Sequence, residues 1–169
     1  ADDIMFWYND IVTNEDFTPA LPNWLIVNDE FVVMEKIDDY TVKFSFAAPY
    51  GLFLQRLATP DGSDMMEHPE PYLEQFHADY NTENLDDLVA ESGQPSWVEL
   101  LQSKTGSRDA GAGWTNPELP VIYAWIITEP TGGDVARAVS ERNPYYWKVD
   151  TEGRQLPYID RIEWEFLGD

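Results

Sequence analysis

Apolar side chains recur with helical spacing at the start of the chain. Ile4, Trp7, Tyr8, Ile11 and Val12 share one face of a helix that Asp2 or Asp3 can cap and that runs to about Asn14. Pro19 and Pro22 then break the pattern, so Phe17 to Asn28 reads as an extended loop presenting Trp24. Period-two alternation follows. Phe31 to Ile37 and Thr41 to Ala47 are rich in β-branched and aromatic residues and flank Asp38-Asp39-Tyr40, which predicts a hairpin. In its second strand Val42, Phe44 and Phe46 share one face, Lys43 and Ser45 the other.

After Pro49 the period becomes helical. Leu52 to Leu57 predicts a short helix and Pro60-Asp61-Gly62-Ser63 a turn. Residues 69–80 predict a helix with Pro71 in its first turn and Tyr72, Leu73, Phe76 and Tyr80 inward. Thr82 and Glu83 open another helix, which ends at Ser92 before Gly93. Ser96 to Ser103 forms a third, burying Trp97, Leu100 and Leu101. Lys104 to Pro120 is Gly- and Pro-rich, with Trp114 as its one large apolar group.

The last third is β in character. Val121 to Thr128 is nearly continuous apolar sequence, as in a strand covered on both faces. Val135 to Arg142 is a second strand. Asp160 to Leu167 is a third, with Ile162, Trp164 and Phe166 inward and Arg161, Glu163 and Glu165 outward. The class is α+β, with an N-terminal hairpin, a helical middle and C-terminal strands.

Composition narrows the function. Of 169 residues 43% are hydrophobic, enough for a packed core. Asp and Glu number 32 against 10 Lys and Arg, a net charge of −22 that repels phosphate backbones and excludes nucleic acid as a partner. Anionic lipid is disfavoured for the same reason. The charge is uneven, with 5 basic and 23 acidic side chains in residues 1–120 and 5 and 9 in 121–169. The shift lies beside Asn116-Pro117-Glu118-Leu119-Pro120, a candidate boundary. The acid excess fits either a salt-rich habitat or an acidic insertion. Cysteine is absent, which removes disulfides, Cys-ligated zinc and thiol nucleophiles. No apolar run reaches the ~20 residues of a spanning helix. The opening Ala1-Asp2-Asp3 has no leader pattern, and the chain reads as an excised or processed piece.

Candidate chemistry is sparse. His68 and His77 stand nine positions apart, which is not a chelating helical spacing, and read as solvated surface histidines with no metal. Glu163 and Glu165 stand about 7 Å apart along one strand face. That separation suits a glycosidase pair, but such pairs flank a cleft from different elements, so a solvated row is the simpler reading. Asp150-Thr151-Glu152-Gly153 reads as a hairpin turn before a calcium loop. No nucleophile elbow, phosphate-cradling loop or metalloprotease His pair is present. The residues therefore predict no catalytic group and no cofactor. Trp7, Trp97, Trp125 and Trp164 fall on predicted buried faces. Trp24 and Trp114, in Pro/Gly-rich loops, either anchor those loops or offer a ligand a stacking face. A self-contained carbohydrate-binding module is the rival reading; helices over 69–103 would count against it.

The run Glu141-Arg142-Asn143-Pro144-Tyr145-Tyr146-Trp147-Lys148-Val149-Asp150, followed by Leu156-Pro157-Tyr158-Ile159-Asp160-Arg161-Ile162, resembles the family 5 extracellular solute-binding proteins, the oligopeptide- and dipeptide-binding receptors of ABC importers. Three further segments resemble the family in order: Ala1 to Tyr8, the hairpin Val33 to Phe44, and Ala48-Pro49-Tyr50-Gly51-Leu52-Phe53-Leu54. One departure is Tyr123-Ala124-Trp125, where the family has glycine at the first position.

The resemblance implies part of a periplasmic-binding-protein-like fold of type II, cluster C. Residues 1–120 would match the small subdomain, with an acidic helical insertion at about 61–115, and 121–169 the strands returning into the first lobe. It implies a non-enzymatic receptor, periplasmic or extracellular and membrane-anchored as a lipoprotein in the full-length protein, that closes two lobes on a peptide or oligosaccharide and delivers it to an ABC permease. Trp24, Trp114 and Trp125 are the candidate cleft-lining residues. Arg142-Asn143-Pro144 reads as architecture, with Tyr145, Tyr146 and Trp147 folding back as an aromatic plug. Sheet edges left open by the missing segments would favour self-association.

Overall fold

The computed structural model describes residues 1–105, 112–130 and 137–165. The chain divides into two compact units, Ala1–Leu101 and Gln102–Asp169. The composition shift near Pro120 lies downstream of that division.

In the first unit, α1 (Asp2–Phe6) follows an Ala1 cap and continues as a wider, π-type helical segment over Trp7–Val12. Asp2 and Asp3 do not cap it. They lie in its first turn, where the helix dipole favours them, and Asp3 Oδ1 instead accepts the Glu70 N–H at 2.9 Å. The predicted face is the buried one: Trp7 and Val12 join a core with Leu25, Val32, Met34 and Met65, and Ile4, Tyr8 and Ile11 pack on it.

The segment predicted as a loop holds a small hairpin. Strands β1 (Ile26–Val27) and β2 (Glu30–Phe31) pair through Asn28 and Asp29, both at positive φ. Asn and Asp tolerate that conformation, so a two-residue turn closes without glycine. The main hairpin forms where predicted but with shifted bounds, β3 (Val33–Asp38) pairing antiparallel with β4 (Thr41–Ser45), so that Phe31 falls in β2 and Asp38 joins the strand. The Asp38 carboxylate accepts the Tyr40 N–H at 2.8 Å to shape the turn, and Glu35 pairs with Lys43 across the strands at 2.7 Å. Val42, Phe44 and Phe46 pack on the core, and Phe46 meets the Phe53 ring at 4.9 Å.

Helix α2 (Phe53–Leu57) leads to α3 (Pro60–Asp64), where the sequence suggested only a turn. Thr59 accepts the Asp61 N–H, and Pro60 occupies the first helical position. Gly62 is required there, since a Cβ would sit 2.1 Å from the Leu57 carbonyl oxygen. The helix predicted over 69–80 is shorter. α4 (Glu70–Leu73) tightens into a 3₁₀ turn over Glu74–Phe76 and ends at an extended His77. Leu73 and Phe76 are buried and Tyr80 is exposed. α5 (Leu85–Ser92) stops at left-handed Gly93, and α6 (Trp97–Lys104) buries Leu100 and Leu101. Helices over 69–103 weigh against a carbohydrate-binding sandwich.

The second unit holds the short α7 (Ala112–Thr115) and an antiparallel meander of β5 (Trp125–Glu129), β6 (Arg137–Arg142) and β7 (Arg161–Glu165). β6 is central and buries Ala138, Val139 and Ser140. The Val121–Thr128 run is not a doubly covered strand. Among the described residues pairing starts at Trp125 and β5 is an edge strand, and Thr128 and Glu129 face solvent. Phe166 and Leu167, predicted to end the last strand, and Val135 and Ala136, predicted to begin the second, lie outside the described residues.

Candidate functional site

The three tryptophans predicted to line a cleft are each half-buried and each engaged. Trp24 sits on a 3₁₀ turn, Asn23–Leu25, and packs on the first unit's core with its ring 6.4 Å from Trp7. Trp114, on α7, meets the Trp164 ring edge-on at 5.4 Å. Trp125 opens β5 and donates its indole N–H to the Ile159 carbonyl at 3.1 Å. Trp24 thus belongs to one unit and the other two to the second.

The Arg142-Asn143-Pro144 motif has a definite structural task. Asn143 is 4% exposed. Its amide donates to the Val121 and Tyr123 carbonyls, both at 2.9 Å, and its oxygen accepts the Tyr145 N–H at 2.9 Å. Pro144 keeps Asn143 extended, which aims the amide back at the β5 approach. The rings that follow do not form a plug. Tyr145 is 91% and Trp147 68% exposed, and only Tyr146 is half-buried. The amide satisfies this corner by hydrogen bonds, so the rings are not needed to fill it.

Two of the remaining acidic candidates, Glu163 and Asp150, are engaged in surface contacts. Glu163 pairs with Arg161 at 2.9 Å and with Arg137 at 3.4 Å, a surface network rather than half of an acid–base pair. Asp150 closes a hairpin turn. It accepts the Glu152 and Arg154 backbone N–H groups at 2.8 and 2.9 Å, the Arg154 guanidinium at 2.7 Å and the Tyr158 hydroxyl. The Tyr158 and Arg154 bonds hold its carboxyl well below the usual carboxylate range. Its oxygens are committed to the turn.

Two features of the first unit were not singled out from sequence. One is an open, polar groove of about 440 Å³ between Glu74–Gln75 and residues 80–84. Asn81 shapes it by accepting the Glu83 and Asn84 N–H groups at 3.3 and 3.2 Å; the Asn81-Thr82-Glu83-Asn84 cluster was its available signal. The other surrounds His77. Both histidines are buried, contrary to the solvated reading, because each finds a local partner that a spacing rule cannot see. His68 Nδ1 lies 2.9 Å from the Asp64 carbonyl, and His77 Nδ1 accepts the Asp79 N–H at 3.2 Å. The His77 ring lies among Phe6, Tyr80 and Trp97, and its Nε2 is 4.0 Å from Asp10 Oδ1. Asp10 Oδ2 accepts the Tyr80 hydroxyl at 3.0 Å. Burial lowers the pKa of both histidines, raises that of Asp10, and, with the Asp10 bond, pushes the Tyr80 phenol up to about 12.

Comparison with known proteins supplies the context that the geometry lacks. Residues 1–169 match the family described as bacterial extracellular solute-binding proteins, family 5 Middle. A solved oligopeptide-binding protein OppA is 43% identical and superposes with a TM-score of 0.81 over 100% of this chain and 25% of its own. A periplasmic alpha-galactoside-binding protein of Rhizobium meliloti (strain 1021) is 28% identical over 165 residues, 98% of this chain and 20% of the relative. The chain thus spans between a fifth and a quarter of the length of these relatives.

Proposed function

Because the chain belongs to the bacterial extracellular solute-binding proteins of family 5, we propose that it is one section of an importer's extracytoplasmic receptor, which binds peptides or similar small solutes by closing two lobes. The observation that carries this reading is the 43% identity and full-length superposition on an oligopeptide-binding protein. Family 5 members are binding proteins rather than enzymes, and the committed acidic groups of this chain accord with that. No helix among the described residues is long and apolar enough to cross a membrane. The assembled receptor would lie outside the cytoplasm, tethered as a lipoprotein, and pass solute to an ABC permease. Within it, residues 1–120 would form the small subdomain and 121–169 the return into the first lobe. The outer edges of β5 and β7 have no strand partner among the described residues, which supports pairing of isolated copies.

Trp24, Trp114 and Trp125 keep their proposed place as cleft-lining residues, each presenting the part of its ring not covered by its neighbours. Lobe closure rests on differential affinity: solute stabilises the closed state only by contacts made from both sides. One section alone covers too little of a ligand. A second reading, an oligosaccharide receptor, is favoured by the alpha-galactoside-binding relative and by the suitability of indole faces for sugar rings.

Calorimetric titration tests both. The 169-residue chain should bind short peptides and α-galactosides more weakly than about 1 mM, whereas a longer polypeptide containing it should bind one class at micromolar strength. Preference for the sugar selects the second reading. Micromolar binding by the 169-residue chain alone overturns the lobe-closure account.

A further inference from the structure

His77 is 1% exposed, yet its Nε2 has no hydrogen-bond partner among the described residues. Buried polar atoms in folded proteins nearly always have one. This atom faces Asp10 Oδ1 across 4.0 Å, beyond any hydrogen bond. The same gap suits two atoms ligating one ion, since donors about 2.1 Å from a cation stand about 3–4 Å apart. Asp79 completes the group: one ligand atom each from Asp10, His77 and Asp79 lie within 4.8 Å of one another. Asp79 is exposed, so its carboxylate is free to swing the remaining distance and gives an ion a path from solvent.

We propose that Asp10, His77 and Asp79 form a binding site for a divalent cation of the zinc class, ligated by His77 Nε2 and one carboxylate oxygen from each aspartate. One imidazole nitrogen with two carboxylates and an open fourth position for water is a zinc-type donor set, whereas magnesium and calcium favour oxygen throughout. The surroundings hold the ligands in place. Tyr80 donates to the other Asp10 oxygen at 3.0 Å, and the imidazole is packed edge-on against Trp97 at 4.8 Å. Asp10 lies on the π-type segment after α1, and His77 and Asp79 on the turn after the 3₁₀ segment, so the ion fastens two elements distant in sequence.

The tautomer makes the site testable. His77 Nδ1 accepts the Asp79 N–H at 3.2 Å, which puts the ring proton on Nε2 in the neutral form. Ligation through Nε2 moves that proton to Nδ1. Drawing the Asp79 carboxylate onto the ion turns its peptide and releases the Nδ1 contact.

The experiment is a zinc titration of the chelator-treated full chain in a non-coordinating buffer, followed by long-range proton–nitrogen NMR of the histidine rings. One equivalent should bind, and His77 should switch from the Nε2–H to the Nδ1–H form. His68 should stay unchanged, and an equal concentration of magnesium should not displace the zinc. Asp79→Asn, at an exposed position, should weaken binding at least tenfold with an unaltered melting curve, and Asp10→Asn, which keeps an acceptor for Tyr80, should do the same. The proposal is overturned if His77 keeps its Nε2–H form at saturating zinc, if both variants bind as the parent does, or if no zinc binds at millimolar concentration. The first two results would assign the zinc to the diffuse acidic surface.

Discussion

The two units of this chain are held by different forces. The first interlocks apolar groups from remote segments: Trp7, Leu25, Val32, Met34 and Met65 meet in one core, the Phe46–Phe53 pair extends it, and Phe17 meets Trp97 elsewhere in the unit. The second has a modest buried strip on β6, a rim of Arg–Glu pairs and the buried Asn143 amide at its corner. Burial of apolar area is non-directional and tolerates changes of shape; an amide bridging two carbonyls is directional and has no substitute. Damage should therefore differ in kind between the two.

The largest effect is expected from Trp7→Ala. It removes a buried indole at the centre of the first core and leaves Asp64 Oδ2 without its 2.8 Å donor. Urea unfolding should show a loss of about 3–5 kcal/mol. Hydrogen exchange should accelerate through residues 1–101 before the strands β5–β7. Equal acceleration in both units would break the comparison.

Asn143→Ala comes next, at about 2–3 kcal/mol, because the Val121 and Tyr123 carbonyls and the Tyr145 N–H lose partners together. Its signature is local: faster exchange of the amides around β5 and of Tyr145, with α1 to α5 unchanged. A loss below about 0.5 kcal/mol would mean that water replaces the amide and that the second unit is held by its strands alone.

The smallest effect concerns pH and belongs to the first unit. The folded-state pKa values of His68 and His77 lie below the ordinary 6.5, so on acidification the unfolded chain takes up protons first. Their contribution to stability is complete above 6.5 and is lost as pH falls through the depressed folded-state values. Asp10 and Glu70, whose carboxyls are raised by burial, act in the opposite direction within the lower carboxylate range. The urea midpoint of chelator-treated protein should therefore fall between about pH 7.5 and about 5.5, with the first unit leading. A flat profile would mean that both rings reach solvent easily.

Legibility followed the range of the interactions. The hairpin at Val33–Ser45 was visible because alternation and an Asp-rich turn are local, and α5 because Gly93 marks its end. The family resemblance rested on ordered short motifs and needed no tertiary information. The Asn28-Asp29 hairpin was also locally encoded, but two prolines upstream, Pro19 and Pro22, masked it. By contrast, the α3 helix depends on Gly62 lying against the Leu57 carbonyl, a contact that Pro60-Asp61-Gly62-Ser63 does not reveal. The tryptophans showed the same limit: their type marked them as candidates, while ring partners such as Trp7 and Trp164 were set by the fold.

By itself the sequence determined the α+β class, the main hairpin, the acidic character and membership of a solute-binding family. The first three follow from periodicity, turn chemistry and charge, each acting over a few residues, and the last from the resemblance carried by short motifs in order. Only the tertiary structure decided that two histidines are buried, that Asn143 ties the second unit's corner while Tyr145 and Trp147 face solvent, and that Asp10 stands opposite His77. Such pairings depend on which distant segments share a desolvated space, and the cost of leaving a polar atom unpaired there arises only after the chain has closed around it.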